Sequence, residues 1–127
     1  MKLISPIYLY LSRKRPKDKK IALNINWYRN AHYRQSNEAK IQYRQMMAPQ
    51  IQRLPKFKNL PIHVHYTLFP ARKCDGMNLI SVIDKFFADA LICYSNIPDD
   101  NLKFYSSGSW EMGGYDTKNP RCEIEIR

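Results

Sequence analysis

The sequence predicts one α/β domain of the α+β kind, with a mixed sheet of about four strands and two main helices in the order β-α-β-α-β-β. Three observations lead there. The 127 residues are the length of a single domain. A hydrophobic fraction of 44% suffices for a core and is too high for a disordered chain. Two apolar rhythms, alternation and three–four spacing, succeed one another along the chain.

Residues 3–11 alternate: Leu3, Ser5, Ile7, Leu9 and Leu11 face one way, and Ile4, Pro6, Tyr8 and Tyr10 the other. This predicts a strand, with Pro6 marking an edge or a bulge. Residues 12–20 (SRKRPKDKK) read as a mobile basic loop, and residues 21–33 (IALNINWYRNAHY) as irregular with a short strand at their start. A helix is expected from Ser36 or Asn37, either of which can cap it, with Glu38 in the first turn. It should end near Met47, because Pro49 disfavours a helical Ala48. Residues 60–69 (LPIHVHYTLF) alternate again, Ile62, Val64, Tyr66 and Leu68 against His63, His65 and Thr67. In residues 78–93, Leu79, Val82, Ile83, Phe86, Phe87, Ala90 and Leu91 recur at helical spacing, the strongest helix signal in the chain. Residues 102–112 and 122–126 read as strands, joined by a hairpin connection punctuated by Gly113-Gly114 and Lys118-Asn119-Pro120. There is no repeat and no second domain, so residues 1–127 read as one unit.

No stretch approaches the ~20 apolar residues of a membrane span. The first six residues lack a signal-peptide core, and Arg13, Lys14 and Arg15 follow soon after. Both points argue for a cytoplasmic protein. Cys74, Cys93 and Cys122 are odd in number and lack CxxC spacing, so they read as reduced thiols in or near the core.

Charge is divided. Residues 1–58 hold 14 Lys/Arg against 2 Asp/Glu, a net of +12, and residues 59–127 hold 7 against 9, a net of −2. A basic front half suits a polyanion, and an acidic back half suits a cation. Nucleic acid fits better than a membrane surface, because the basic residues fall mainly in a polar loop. Arg13, Lys14, Arg15, Lys17, Lys19, Lys20, Arg29 and Arg34 are candidates for phosphate contacts. Trp27, Tyr28, His32 and Tyr33 could stack on opened bases, with burial in the core the equal alternative for Trp27 and Tyr28. His63 and His65 share a strand face, but without a third ligand they read as a surface or interface face.

Residues 71–78 (ARKCDGMN) join a strand to a helix and place Asp75 at the junction. Asp99 and Asp100 follow the helix and open the next strand. Acidic residues at such ends can hold Mg²⁺, which takes few carboxylates and keeps several waters. Lys85, seven residues after Asn78, could balance charge on a phosphate. As ordinary structure, Asp75 would be a helix cap, Asp99 and Asp100 turn residues, and Asp84, Lys85 and Asp89 a solvated helix face.

Residues 74–105 (CDGMNLISVIDKFFADALICYSNIPDDNLKFY) resemble the core of the RusA-type Holliday junction resolvases, many of them encoded by phages and prophages. That family carries an Asp-x-Asp-Asn motif at a helix start, then a lysine, then Asp-Ala-Leu, and Asp-Asp about ten residues on. Asp89-Ala90-Leu91 and Asp99-Asp100 stand here at the family spacing. Residues 24–33 (NINWYRNAHY) and 119–126 (NPRCEIEI) resemble the phage branch. The resemblance spans most of the chain through short motifs in a shared order. It implies a homodimeric, Mg²⁺-dependent endonuclease, with Mn²⁺ a plausible substitute and no small-molecule cofactor. Such an enzyme resolves four-way DNA junctions by paired nicks in recombination, repair or phage DNA processing, in a bacterial or phage-infected cytoplasm. Carried over, Asp75 matches the first acidic ligand, Asn78 the Asn, Lys85 the essential lysine and Asp100 the last ligand, with Asp99 beside it.

Two departures stand out. Met77 replaces the second Asp, and a thioether is a poor Mg²⁺ ligand. Four extra residues separate Asn78 from Lys85, about one helical turn, which keeps Lys85 on its face. Asp84, in that added turn, is the candidate for the missing carboxylate. A helix of about 16 residues spans roughly 24 Å, so one chain can barely reunite Asp75 with Asp99 and Asp100. Either the loop folds back, or two subunits share each site. The alternative function is a non-catalytic branched-DNA-binding protein with a degenerate metal site. An RNA-binding role is a third reading, without an RNP-type aromatic motif to support it.

Overall fold

The computed structural model describes residues 1–12 and 19–127. The expected basic loop falls largely outside the described residues, and with it Arg13, Lys14, Arg15 and Lys17. The class is as the sequence predicts, a mixed α/β fold with two main helices. Its elements are β1 (Lys2–Ser5), β2 (Tyr8–Leu11), β3 (Lys19–Ala22), α1 (Ile25–Asn30), α2 (Tyr33–Ile51), β4 (Ile62–Phe69), α3 (Gly76–Cys93), β5 (Tyr105–Met112) and β6 (Arg121–Ile126).

Four strands form the main sheet in the order β1-β6-β4-β5, and β2 pairs with β3 in a separate hairpin. Within the main sheet only β4 and β5 run parallel. A parallel pair needs a long crossover, and α3 supplies it. Residues 113–120 therefore do not form the expected hairpin connection. They carry the chain past β4, and β6 inserts between β1 and β4.

The strand expected over residues 3–11 is two strands. Pro6 has no N–H for a ladder, and the chain changes sheets there. The inward set Leu3, Ser5, Ile7, Leu9 and Leu11 is nevertheless buried throughout. Ser5 survives in the core because its Oγ lies 2.8 Å from the Tyr43 hydroxyl.

Helix α2 begins at Tyr33, earlier than expected, because His32 caps it: the His32 Nδ1 accepts the Arg34 N–H. It also runs through Pro49 to Ile51. Tertiary contacts override the local cost of the proline. Ile51 is fully buried, and the Gln50 amide accepts the Ile4 N–H at 2.7 Å and donates to the Ile4 carbonyl at 2.8 Å. Eight residues earlier, Gln42 makes the same pair of bonds to Tyr10, at 3.0 and 2.8 Å. Glu38 accepts both the N–H and the hydroxyl of Ser12. Positions 38, 42 and 50 share one helix face, so α2 stands in for a neighbouring strand along β1 and β2.

The segment read as irregular contains β3 and the short helix α1, capped by Asn24, whose side chain accepts the Asn26 N–H. Six residues are too few to show a period. One apolar cluster unites the sheet, α2 and α3, with Tyr43, Tyr66, Phe86 and Phe87 among its largest members. Of the three thiols only Cys122 is buried, and burial with the neighbouring Glu123 pushes it up to about 12. Cys74 and Cys93 are exposed, against expectation. No helix of the described residues is long and apolar enough to cross a membrane.

At Gly113 an added Cβ would overlap the Phe69 ring and approach Thr67 Cγ2 at 2.8 Å. The ring is also held by Arg121, whose guanidinium lies 4.2 Å from its centroid. Gly113→Ala should therefore cost about 1–3 kcal/mol of stability, read by urea denaturation.

A second prediction concerns acid. Hydrogen bonding from Lys2 at 2.8 Å, aided by Arg121, holds Glu123 below the usual 4.5. A depressed carboxylate stabilises the fold above its unfolded value, and that contribution is lost as pH falls through the folded value. The urea midpoint should drop on acidification below about pH 4.5, and Lys2→Ala should flatten that limb.

Candidate functional site

The β4-α3-β5 crossover decides where each acidic residue lies. Trp110 and Leu68 pack over Gly76, and the Gly113 N–H donates to the Leu68 carbonyl. The start of α3, with Asp75, is thus at the C-terminal end of β4 and β5. At the other end, the Ile62 N–H donates to the Phe104 carbonyl and the Phe57 N–H to the Asn96 carbonyl. Residues 96–104, with Asp99 and Asp100, therefore sit where β4 begins. From Ile62 to Leu68 is about 20 Å along the strand, and the 18 residues of α3 span about 27 Å.

The loop after α3 does not fold back. Helix α3 ends in a Schellman arrangement, with the Ser95 N–H bonded to Ile92 O and the Asn96 N–H to Leu91 O. Ser95 takes the left-handed conformation usually given to glycine, φ 61°. Asn96 is buried and donates to the carbonyls of Leu54 and Pro55, which pins the turn away from Asp75. Asp99 accepts the Asp100 N–H at 2.7 Å and the Asn101 side-chain N–H at 3.2 Å, the local bonding of a turn residue. Strand β5 starts only at Tyr105, so the acidic pair does not open it as expected.

Asp75 caps α3, accepting the Met77 N–H at 3.2 Å, and is exposed. Asn78 is half-buried and Lys85 exposed one helix face along, about 15 Å from Asp75 at helical rise. Asp84 does not join Asp75. Its Oδ1 accepts the Tyr66 hydroxyl at 2.5 Å and the Tyr105 hydroxyl at 2.6 Å, and the two hydroxyls lie 2.8 Å apart. The added turn points Asp84 down onto the sheet, where it anchors the helix. Burial and the Asp84 charge keep both tyrosines protonated far above their usual range.

Asp75, Asp84, Asp99 and Asp100 are thus not one cluster. Among the described residues, no group of three or more His, Cys, Asp or Glu could hold a metal ion. The donor set of a single chain does not fit the Mg²⁺ site that the sequence suggests. His63 is exposed, whereas His65 is half-buried and bonds Ser109 and Glu111 of the neighbouring strand β5.

The basic candidates divide. Tyr28 meets Phe86 edge-on at 5.8 Å and Trp27 stacks on Tyr28 at 6.4 Å, so both pack against the core rather than stand free for bases. The Trp27 Nε1 is buried with no hydrogen-bond partner among the described residues. Arg29, His32, Tyr33 and Arg34 are exposed, as are Lys19 and Lys20.

Lys20 reaches a cleft of about 340 Å³ between the β2-β3 hairpin and the strand-to-helix loop, lined by Tyr8, Lys20, Ala22, Ala71 and Arg72. The Lys20 ammonium lies 4.5 Å from the Tyr8 ring centroid. Two cations on an open cleft, three residues from Asp75, form a setting for a phosphate. Sequence reasoning did not single out Arg72 or Tyr8. The signal was the Arg72-Lys73 pair, separated from Asp75 by Cys74 alone; the contact with the hairpin is tertiary.

Searches against protein-family models, curated proteins and solved structures returned no match.

The Asp84 clamp gives a direct test. Asp84→Asn keeps an oxygen for both hydroxyls and should change stability little. Asp84→Leu removes the acceptor and should cost about 1–3 kcal/mol in urea denaturation.

Proposed function

We propose that the protein is a metal-dependent DNA endonuclease that acts on branched substrates, four-way junctions above all, as a homodimer. One observation carries this reading: α3 holds Asp75 at one end and Asp99-Asp100 at the other, beside a cleft bearing Lys20 and Arg72. A single chain then owns two half-sets of carboxylates. Two chains with their α3 helices antiparallel would assemble two whole sets, one at each end, as paired symmetric nicks require.

Each residue has a defined task in this arrangement. Asp75 from one chain and Asp99 and Asp100 from the other would supply the oxygen ligands for Mg²⁺ or Mn²⁺, with Asn78 supporting Asp75. Lys20 and Arg72 would bind the DNA backbone where it enters, and Arg29, Arg34 and Lys19 would extend the contact. Lys85, in mid-helix, would pair with a phosphate between the two sites. Asp84 is left out of the ligand set, because its contacts are to Tyr66 and Tyr105. The basic half of the sequence and the resemblance of residues 74–105 to the RusA-type resolvases support the same reading.

The alternative is a protein that binds junctions without cutting them, favoured by Met77 in place of a carboxylate and by its 52% exposure at the helix start. A nicking assay on a synthetic four-way junction separates the two. With Mg²⁺, the parent protein should nick the junction and leave linear duplex intact. Asp75→Asn and Asp100→Asn should each abolish nicking and spare binding. Mixing the two variants should restore single nicks, because one site of each mixed dimer regains every carboxylate. Binding without nicking in Mg²⁺ or Mn²⁺ supports the non-catalytic reading, and failure of the mixture to recover counts against shared sites.

A further inference from the structure

We propose that a second copy of this chain docks on the outer edge of β5 and the adjoining strip of α3, with β5 antiparallel to β5. This rests on the dimeric reading above and names the surface that reading needs.

The sheet has two edges, β1 and β5, and they are treated differently. The β1 edge is taken up by Gln50, which bonds both the N–H and the carbonyl of Ile4. No described residue makes a corresponding backbone bond along the outer side of β5. That edge carries neither lysine nor proline, two of the devices that guard an exposed strand, and keeps a bulge and Glu111, reading YSSGSWEM. At its middle the ladder shifts register and Gly108 is the extra residue. A Cβ on Gly108 would meet nothing nearer than the Val64 carbonyl oxygen at 4.0 Å, so the chain's own packing does not call for glycine there. A glycine in a strand suits the close approach of another backbone.

The open strip of α3 lies on the same side. Helix α3 rests on β4 and β5 through Asp84, and Phe86 packs against Tyr43 of α2 and Tyr28 of α1. Since α2 covers the β1 side, the opposite flank of α3 looks out over the β5 edge. That flank carries Met77 and Ser81, both exposed at four-residue spacing, with Lys85 a further step round toward solvent, clear of the strip. Met77 is half a turn round the helix from Phe86.

Exposed apolar side chains mark the two ends of this surface. Met77 (52%) and Met112 (41%) stand at the Asp75 end, and Leu102 (85%) stands at the other. A two-fold axis across β5 brings Leu102 of each copy to the Met77 and Met112 end of its mate, covering side chains that one chain leaves in water. The same operation lays the two α3 helices antiparallel and sets Asp75 of each copy at the end that carries Asp99 and Asp100 of the other.

Sedimentation equilibrium with circular dichroism tests this. The parent should be a dimer. Gly108→Lys and Ser81→Arg should each run as a folded monomer where the parent is dimeric, whereas Ile41→Arg, on exposed α2, should remain dimeric. Hydrogen exchange on the parent adds a readout that needs no variant, since protection of the β5 amides should fall as dilution splits the dimer. A parent that is monomeric at every concentration overturns the proposal. So does a dimer that survives both substitutions, one broken by Ile41→Arg alone, or β5 protection that ignores dilution. A β5-linked dimer that never nicks DNA defeats the nuclease reading and leaves this one standing. A nicking dimer indifferent to Gly108 and Ser81 does the reverse.

Discussion

Everything about the proposed site follows from how α3 is fastened to the sheet. One carboxylate oxygen of Asp84 takes two tyrosine hydroxyls, one from β4 and one from β5. The parallel strands beneath and the helix above are thereby locked as a single crossover unit. Charge-assisted bonds in partly buried surroundings are among the stronger polar contacts a fold can make. Their consequence is geometric. Once the helix is fixed along the strands, its two ends are fixed too, and the acidic residues at those ends cannot meet within one chain.

Local pattern made much of this legible before any coordinates. The alternation of Ile62, Val64, Tyr66 and Leu68 and the three–four spacing from Leu79 to Leu91 describe β4 and α3 closely, because both bury one face. What could not be read was pairing and tertiary compensation. Pro49 argues for a helix end, and only tertiary contacts, the Gln50 bonds to Ile4 and the burial of Ile51, explain why the helix goes on. Gly113-Gly114 looks like a hairpin turn, and nothing nearby announces that β6 will lie between β1 and β4. Asp84 in mid-helix reads as part of a solvated face and Asp75 as a cap, yet Asp84 turns to the sheet and only Asp75 to solvent. The helical period does not foretell this: counted from the buried Phe86, it puts Asp84 about 160° away, on the side that would be read as solvated.

The charge division takes on a spatial meaning in the fold. The basic hairpin residue Lys20 and the loop residue Arg72, distant in sequence, line one cleft beside the cap of α3. A polyanion following those cations would run toward Asp75. Like-charged acidic groups near a phosphate backbone repel it unless a cation intervenes, so a bound divalent ion and a bound DNA strand would each favour the other's presence.

The glutamines of α2 have a last consequence for assembly size. A sheet open along both rims can add copies without limit, and such growth ends in fibres. With Gln50 seated on the Ile4 peptide, one rim is already satisfied by the chain itself. Strand addition then has a single direction in which to proceed, and two molecules meeting head-on exhaust it. A side-chain amide on a helix would in this way set the stoichiometry at a closed pair and keep a chain with one unpaired strand edge from polymerising.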